Sequence, residues 1–438
     1  MDQLFLIDEK KGLDELPTAK QRKNDKVGRG AWTNFYAAYS QLFSDSAFEA
    51  LGVREGELVF DPFLGSGTTA ISCQKYGANF IGWDLDPFAC LLSRAKIAVA
   101  ANPEKVRGYL KPGKFKSSMH FDEQSYEIFG GDCLSYAAAV FSRVKRTVRG
   151  GKALFLNNVC SDVEGKYDSE VVAVVSLCIA ASRAAKLIRG SNPTWYRKGE
   201  DAEFDFIGEL KNEVVAVSEK LLLDLAAGAN SPREFTKSEI VNCDASGKGQ
   251  SLPDGVVDCV VTSPPYLTRI DYVVNHLPNL MLLSGLMAID IPGLRSGMIG
   301  TSKIINKVEV NACWGGACVD LLRRIYDHES YASKRYYYWT YVQYFDAMYR
   351  AVINIYSKLK SGGRGVMVVQ SSFYKDIHVP LSDILVDMIV GLGMQARVLK
   401  REPVKINMRS LQRSRVQSDK GYELTEDVIY FVKTDTGQ

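Results

Sequence analysis

The chain is 438 residues long, with 46% hydrophobic and 24% charged residues, which suits a folded protein with a sizeable core and excludes the disordered and fibrous classes. The net charge of +3 is too small to specify a partner. Nine cysteines occur without a C-x-x-C pair, and four histidines (His120, His276, His328, His378) stand away from metal-ligand spacing, so no metal is expected.

The N-terminus carries early acids rather than a basic-then-apolar leader. The longest apolar stretch, 171–181, is shorter than the about 20 residues a membrane span needs. A cytoplasmic protein with reduced thiols is expected, with no membrane partner.

Residues 1–30 are polar and basic, with a cluster between Lys20 and Arg29, and read as a loosely ordered arm. Within 31–50, Trp32, Phe35, Tyr36, Tyr39, Leu42 and Phe43 recur at helical spacing. Residues 57–60 read as a short buried strand, 68–76 as a helix and 79–82 as a second strand. Strand, glycine loop, helix, strand and acid make a βαβ unit with a parallel sheet.

From about 98 to 236 this alternation stops. Residues 171–188 and 204–227 carry apolar residues at three- and four-residue steps, which predicts a largely helical insertion. The α/β pattern resumes with strands at 239–244 and 256–261, becomes less regular over 285–335, and continues with an amphipathic helix over 341–359 that glycines 362 and 363 would cap. Strands at 364–370 and 428–433 complete the sheet. Between Gln395 and Lys420 eight Lys/Arg face only Glu402 and Asp419; this excess suits either phosphate contact or a solvated face.

The first chemical motif is Asp61-Pro-Phe-Leu-Gly-Ser-Gly-Thr-Thr69. Gly65 and Gly67 allow a sharp strand-to-helix turn and close approach of a ligand to free N–H groups at the helix start. It is neither a P-loop nor G-x-G-x-x-G. Asp84, with Asp86 close by, ends the next strand, where an acid can accept hydrogen bonds from ribose hydroxyls.

The second motif, Ser263-Pro264-Pro265-Tyr266, directly follows an apolar strand. Two prolines cannot continue a ladder, and they hold the preceding backbone extended with its carbonyls outward. The plain alternative is a rigid strand terminator. An exocyclic amine on a base is a poor nucleophile because its lone pair is conjugated into the ring. Two acceptors on its hydrogens, the Ser263 side chain and the Pro264 carbonyl, would favour a pyramidal nitrogen and attack on a methyl group. Tyr266 would stack on a base rotated out of the duplex.

Together, 61–69 and 262–266 resemble motifs I and IV of the DNA amino-methyltransferases, over about 1–97 and 237–435. The resemblance implies an α/β, Rossmann-like methyltransferase sheet, mostly parallel with helices on both faces, and a largely helical insertion. It implies S-adenosylmethionine as cofactor, held by Asp61, Pro62, Phe63, Gly65, Ser66, Gly67, Thr68, Asp84 and Asp244, and direct transfer to a flipped base of double-stranded DNA. Asp244 takes the place of the acid that contacts the adenine amine; Asp132 in Gly130-Gly-Asp-Cys is a rival inside the insertion. Serine in the first position of the tetrapeptide is commoner among N4-cytosine enzymes, so N4 of cytosine is the expected target, with N6 of adenine as the alternative.

The catalytic domain is accordingly expected at 31–97 and 237–438. The glycine loop precedes the tetrapeptide, a departure from many members with this form of the loop, and it leaves the target-recognition region open. The insertion 98–236 is one candidate, since Arg183, Lys186, Arg189, Trp195, Tyr196, Arg197 and Lys198 form a basic and aromatic run; 285–335 is the second. The stretch Arg269-Ile-Asp-Tyr272 is either base-pocket lining or an ordinary loop. C5-cytosine chemistry needs a nucleophilic thiolate, normally in a Pro-Cys pair, and no Pro-Cys dipeptide occurs. An RNA amino-methyltransferase and a catalytically silent nucleic-acid-binding subunit remain as readings of other classes. A restriction-modification role is expected, and whether a cognate restriction endonuclease accompanies the chain stays open.

Overall fold

A computed structural model describes residues 12–20, 27–33, 38–112, 119–148, 167–185, 188–189, 196–197, 206–229, 238–247, 252–267, 271–404 and 423–434. The N-terminal half begins with α1 (Gln41–Leu51), β1 (Leu58–Asp61), α2 (Thr68–Tyr76), β2 (Asn79–Asp84) and α3 (Pro87–Lys96). The insertion follows as α4 (Pro103–Leu110), α5 (Glu123–Thr147), α6 (Asp168–Ala184), the two-residue strands β3 (Ile188–Arg189) and β4 (Tyr196–Arg197), and α7 (Phe206–Ala229). Then come β5 (Ser238–Asn242), β6 (Val257–Thr262), α8 (Tyr272–Leu283), α9 (Ile291–Gly297) and α10 (Gly316–Asp327). The chain closes with α11 (Tyr338–Lys358), β7 (Leu359–Gln370), a small pair β8 (Ser372–Tyr374) and β9 (Ile377–Val379), α12 (Leu381–Gly391), β10 (Gln395–Pro403) and β11 (Thr425–Val432).

Seven strands form one sheet in the order β10-β11-β7-β6-β1-β2-β5. β11 runs antiparallel to both its neighbours, and the pairs β7–β6, β6–β1, β1–β2 and β2–β5 are parallel. This is the Rossmann-like α/β methyltransferase sheet that the two motifs imply. Chain order runs outward from β1 to β2 and β5 on one side, and from β6 to β7 on the other. The topological switch point, where such sheets bind ligands, therefore lies between the carboxyl ends of β1 and β6. Those are the ends that carry the two motifs.

Alternating side chains feed two cores. Phe60, Ile81 and Val260 pack with α10, α11 and α12, whereas Val59, Phe80, Cys259 and Val261 pack with α1 and α2. Each face of the sheet is thus covered by helices. A third core joins α3 to the insertion and to α8, with Phe88, Leu91, Val140, Val174, Leu221 and Leu280 among its members. α6 is buried along nearly its whole length, so the insertion shares its interior with the helix behind the glycine loop. Arg94 of α3 and Asp168 of α6 form a buried ion pair at 2.6 Å.

Several expectations differ from this architecture. The arm expected to be loose contributes Leu13, Leu16 and Ala19 to a core against α1 and the sheet, because these apolar residues recur at three-residue steps within an otherwise polar stretch. The helix expected within 31–50 starts only at Gln41, where Ser40 caps it; Phe35 and Tyr36 lie outside the described residues. The irregular segment 285–335 contains α9, α10 and a short turn at Ala312–Trp314, with Trp314 buried beneath α10. Gly362 and Gly363 do not cap α11, which runs directly into β7 at Leu359. A side chain at Gly363 would meet the Lys360 carbonyl at 2.8 Å, so the glycine serves the strand. Among the described residues no helix is long and apolar enough to cross a membrane.

Asp168→Ala would remove the carboxylate that lies 2.6 Å from the buried Arg94 guanidinium. Urea denaturation should show a loss of about 3–5 kcal/mol, the usual cost of breaking one side of a buried pair. An unchanged transition would mean that α3 and the insertion do not depend on each other.

Candidate active site

Asp61 ends β1 and is 1% exposed. Its carboxylate accepts hydrogen bonds from Thr69 Oγ1 at 2.7 Å, Thr262 Oγ1 at 2.6 Å, the Phe63 amide at 3.1 Å and the Tyr39 hydroxyl at 3.3 Å. Tyr39 and Thr69 also share a short hydrogen bond. Burial pushes the Asp61 acid up from its ordinary value, opposed by these same hydrogen bonds. One side chain thereby ties β1, the first turn of α2 and the end of β6 together.

The glycine loop leaves β1 with φ of 50° at Gly65 and 77° at Gly67, backbone that only glycine adopts without strain. A Cβ on Gly67 would also lie 2.5 Å from Ser93 Oγ and 2.9 Å from Ser93 Cα. α3 supports the loop from behind. Ser93 Oγ donates to the Gly65 carbonyl at 3.1 Å, and Lys96 Nζ donates to the Ser66 carbonyl at 2.7 Å. Lys96 is 2% exposed, and burial, followed by the nearby Arg29 charge, pushes its amine down to about 7.

Asp84, at the end of β2, accepts the Gly65 amide at 2.7 Å and the Asp86 amide at 2.8 Å. Burial, then the adjacent Asp86 carboxylate, pushes its acid up to about 7. Asp86 also borders the cavity, but its carboxylate is engaged behind it. It caps α3 through the Phe88 amide at 2.8 Å and meets His276 Nδ1 of α8 at 2.5 Å. Past β5, Asp244 accepts the Ser246 amide at 2.8 Å and its hydroxyl at 2.9 Å. Asp132 stands exposed within α5, away from any strand end, because the chain around it is helical.

These pieces line one cavity with about 860 Å³ of open space, its mouth included. Of the expected site residues, Pro62, Phe63, Gly65, Ser66, Thr68, Asp84, Asp244, Ser263, Pro264 and Pro265 form its wall. Asp61, Gly67 and Tyr266 do not belong to that wall. The first two shape the loop from inside. Tyr266 is 5% exposed, with its hydroxyl 3.4 Å from Glu426 Oε1 on β11; in this arrangement its ring is not available to stack on a base. The Tyr344 hydroxyl of α11 donates to the Pro265 carbonyl at 2.8 Å and fixes the turn. Ser263 is half-buried, and its hydroxyl has no hydrogen-bond partner among the described residues. Arg269 and Ile270 lie outside the described residues; Asp271 caps α8 and meets Arg295 at 2.7 Å.

Sequence reasoning missed Tyr39, Met298 and Ile299 in the wall, and Ser93, Lys96 and Glu426 behind it. A readable signal existed for two of them. Lys96 ends a helix that is apolar apart from Ser93 and Arg94, and Glu426 stands with Asp427 at the start of an otherwise apolar strand. Burial pushes the acid of Glu426 up to about 7. Cys243 also lines the cavity, and burial pushes its thiol up to about 12. It is therefore a neutral thiol near pH 7. Among the described residues no group of three or more His, Cys, Asp and Glu is placed to hold a metal ion.

A family model described as DNA methylase, for N6 and N4 methyltransferases, matches residues 50–95, the stretch from α1 through the glycine loop to α3. The Type II methyltransferase M.BsoBI of Geobacillus stearothermophilus is 22% identical over 307 residues, covering 61% of this chain and 55% of that protein. The Type II methyltransferase M.MjaII of Methanocaldococcus jannaschii is 48% identical over 42 residues, 10% of this chain and 8% of that protein. The chain thus spans about half the length of the first of these relatives and a small part of the second. Among solved structures, the rRNA methyltransferase aviRa from Streptomyces viridochromogenes is 11% identical over 96% of this chain and 97% of its own, with a TM-score of 0.31. A likeness that distant carries no argument about fold or substrate.

The acid of Asp84 gives the site a pH signature. Ribose hydroxyls bind the carboxylate form, so binding of an adenosine-bearing cofactor should weaken as the pH falls below about 7 and level off above it. Calorimetry across pH 6–8 should show that slope, and Asp84→Asn should abolish it while weakening binding by about 1–3 kcal/mol. A flat wild-type profile would remove Asp84 from the binding surface.

Proposed function

We propose, for a chain that belongs to the DNA amino-methyltransferase family, that it transfers a methyl group from S-adenosylmethionine to the exocyclic N4 amine of a cytosine flipped out of double-stranded DNA. The observation that carries this reading is that the glycine loop and the tetrapeptide wall one cavity, joined by the two threonine hydrogen bonds to Asp61.

The residues present fit the cofactor. Asp84 offers a carboxylate to vicinal hydroxyls, Asp244 an acceptor for an adenine amine, and Phe63, Leu85, Met298 and Ile299 give apolar wall for a purine ring. When bound, S-adenosylmethionine supplies a methyl group made electrophilic by its sulfonium. The protein's part is to place the amine. The Ser263 hydroxyl, without a partner among the described residues, and the Pro264 carbonyl, held by the rigid Pro-Pro turn, accept the two N–H hydrogens and direct the nitrogen lone pair. Tyr344 keeps that turn from relaxing. Preorganisation of this kind lowers the barrier because the acceptors need not reorient during the reaction.

A hydroxyl in the first position of the tetrapeptide, rather than a carboxylate or amide, supports N4 of cytosine over N6 of adenine. Both motifs are intact, which supports an active enzyme over a silent subunit. A modification role beside a restriction endonuclease is part of the same proposal.

Mass spectrometry of nucleosides from DNA incubated with the chain and labelled S-adenosylmethionine should show N4-methylcytosine. N6-methyladenine would overturn the choice of base, and label in RNA alone would overturn the choice of nucleic acid. Ser263→Ala should lower kcat by 10²-fold or more, on the order of losing one preorganised group in such a site, while cofactor affinity stays within twofold. An unaltered kcat would remove Ser263 from the transfer step.

A further inference from the structure

We infer that the DNA backbone beside the flipped base is taken by the face formed by residues 300–307 and 331–339. This rests on the proposed base methylation and names the surface that serves it.

The chain leaves the cavity wall at Gly297, Met298 and Ile299 and runs outward to Lys303 and Lys307. Gly300 lies against the tetrapeptide, where an added Cβ would be 3.7 Å from the Tyr266 carbonyl oxygen. α11 fixes both. Gln343 accepts the Ile305 and Asn306 amides at 2.8 and 3.2 Å and donates to the Lys303 carbonyl at 3.1 Å. The next residue, Tyr344, holds Pro265. The exposed loop is therefore in fixed register with the site of transfer.

Its cations rest on aromatic rings. Lys307 Nζ is 5.0 Å from the Trp339 ring centre, Lys334 Nζ is 4.8 Å from Tyr326, and the Arg335 guanidinium is 4.5 Å from Tyr331. Among the described residues none of these three, nor the exposed Lys303, pairs with an acid. The acids of the same stretch, Glu309, Asp327 and Glu329, form no ion pair with them, and Asp320 is held by Arg323. A cation over a ring keeps its full charge for a phosphate, and Tyr331, at 77% exposure, presents a stacking surface besides.

On the competing basic surfaces several cations of the described residues already have acidic partners. In the insertion, Arg107 is bound by Glu104 and Glu219, Arg183 faces Glu213 and Lys220 faces Asp224. On β10, Lys400 pairs with Glu402 and Arg401 with Asp383. Phosphate binding there would first have to break these pairs.

The test is anisotropy with a fluorescent DNA duplex over about 50–200 mM salt, where each phosphate contact contributes about 0.9 to the slope of log K against log salt. A variant carrying Lys303→Ala, Lys307→Ala, Lys334→Ala and Arg335→Ala should lose about 2–4 from that slope and bind at least tenfold more weakly, with S-adenosylmethionine affinity unchanged as the check on folding. A second variant, Arg107→Ala with Arg183→Ala, should keep the wild-type slope. Equal slopes for the four-site variant and the wild type, or a slope lost only in the second variant, would overturn the assignment. So would binding of the wild type to an RNA duplex in preference to DNA. Loss of slope in the four-site variant of a protein that methylates no DNA would sustain the surface and refute the proposed reaction instead.

Discussion

The acceptor capacity of one buried carboxylate organises the site. Asp61 has no access to solvent, so its oxygens must be satisfied from within, and its donors come from chain positions 39, 63, 69 and 262. The bonds from Thr69 and Thr262 set the distance between the helix that opens at the glycine loop and the strand that ends at the tetrapeptide. Parallel pairing of β1 with β6 brings those strand ends side by side; Asp61 fixes how the loops leave them.

From that point support spreads outward. α3 donates Ser93 and Lys96 to the carbonyls of the loop, and its own N-terminus is held by Asp86, which meets His276 of α8. Behind α3, the insertion shares the same apolar interior and closes the Arg94–Asp168 pair. On the opposite face, α11 holds the tetrapeptide through Tyr344 and the basic loop through Gln343. A rigid shell of this kind is what positional catalysis requires, since displacement of about 1 Å can cost two orders of magnitude in rate.

Electrostatics divides the acids by task. Asp61 is occupied with internal donors away from the cavity wall; Asp84 and Asp86 both border the cavity, and Glu426 lies behind Tyr266, with the acids of Asp84 and Glu426 pushed up to about 7, first by burial. The thiol of Cys243 is raised for the same reason and stays neutral. The cavity is thus furnished with hydrogen-bond acceptors and apolar wall and lacks an anionic sulfur, an environment suited to positioning an amine.

Both motifs were legible in the amino-acid sequence because their chemistry is local. Positive φ at Gly65 and Gly67 and the inability of Pro264 and Pro265 to extend a ladder are properties of those residues themselves, and Asp84 at the end of β2 and Asp244 two residues past β5 sit beside recognisable apolar runs. The order of strands and helices around the motifs followed for the same reason. What tertiary structure decided are relations across long separations. Asp61 resembles a cofactor contact in the sequence and becomes the link between loops because Thr262, 201 residues away, donates to it. Tyr266 resembles a stacking platform and is turned onto Glu426, 160 residues on. The leading arm and the insertion resemble appendages, yet Leu13, Leu16 and Ala19 of the one and the described helices of the other pack into cores, since apolar periodicity tells that a face is buried but not against what. Basic runs are equally silent about what lies opposite them: Arg107 and Arg183 of the insertion meet glutamates, whereas Lys307, Lys334 and Arg335 meet rings.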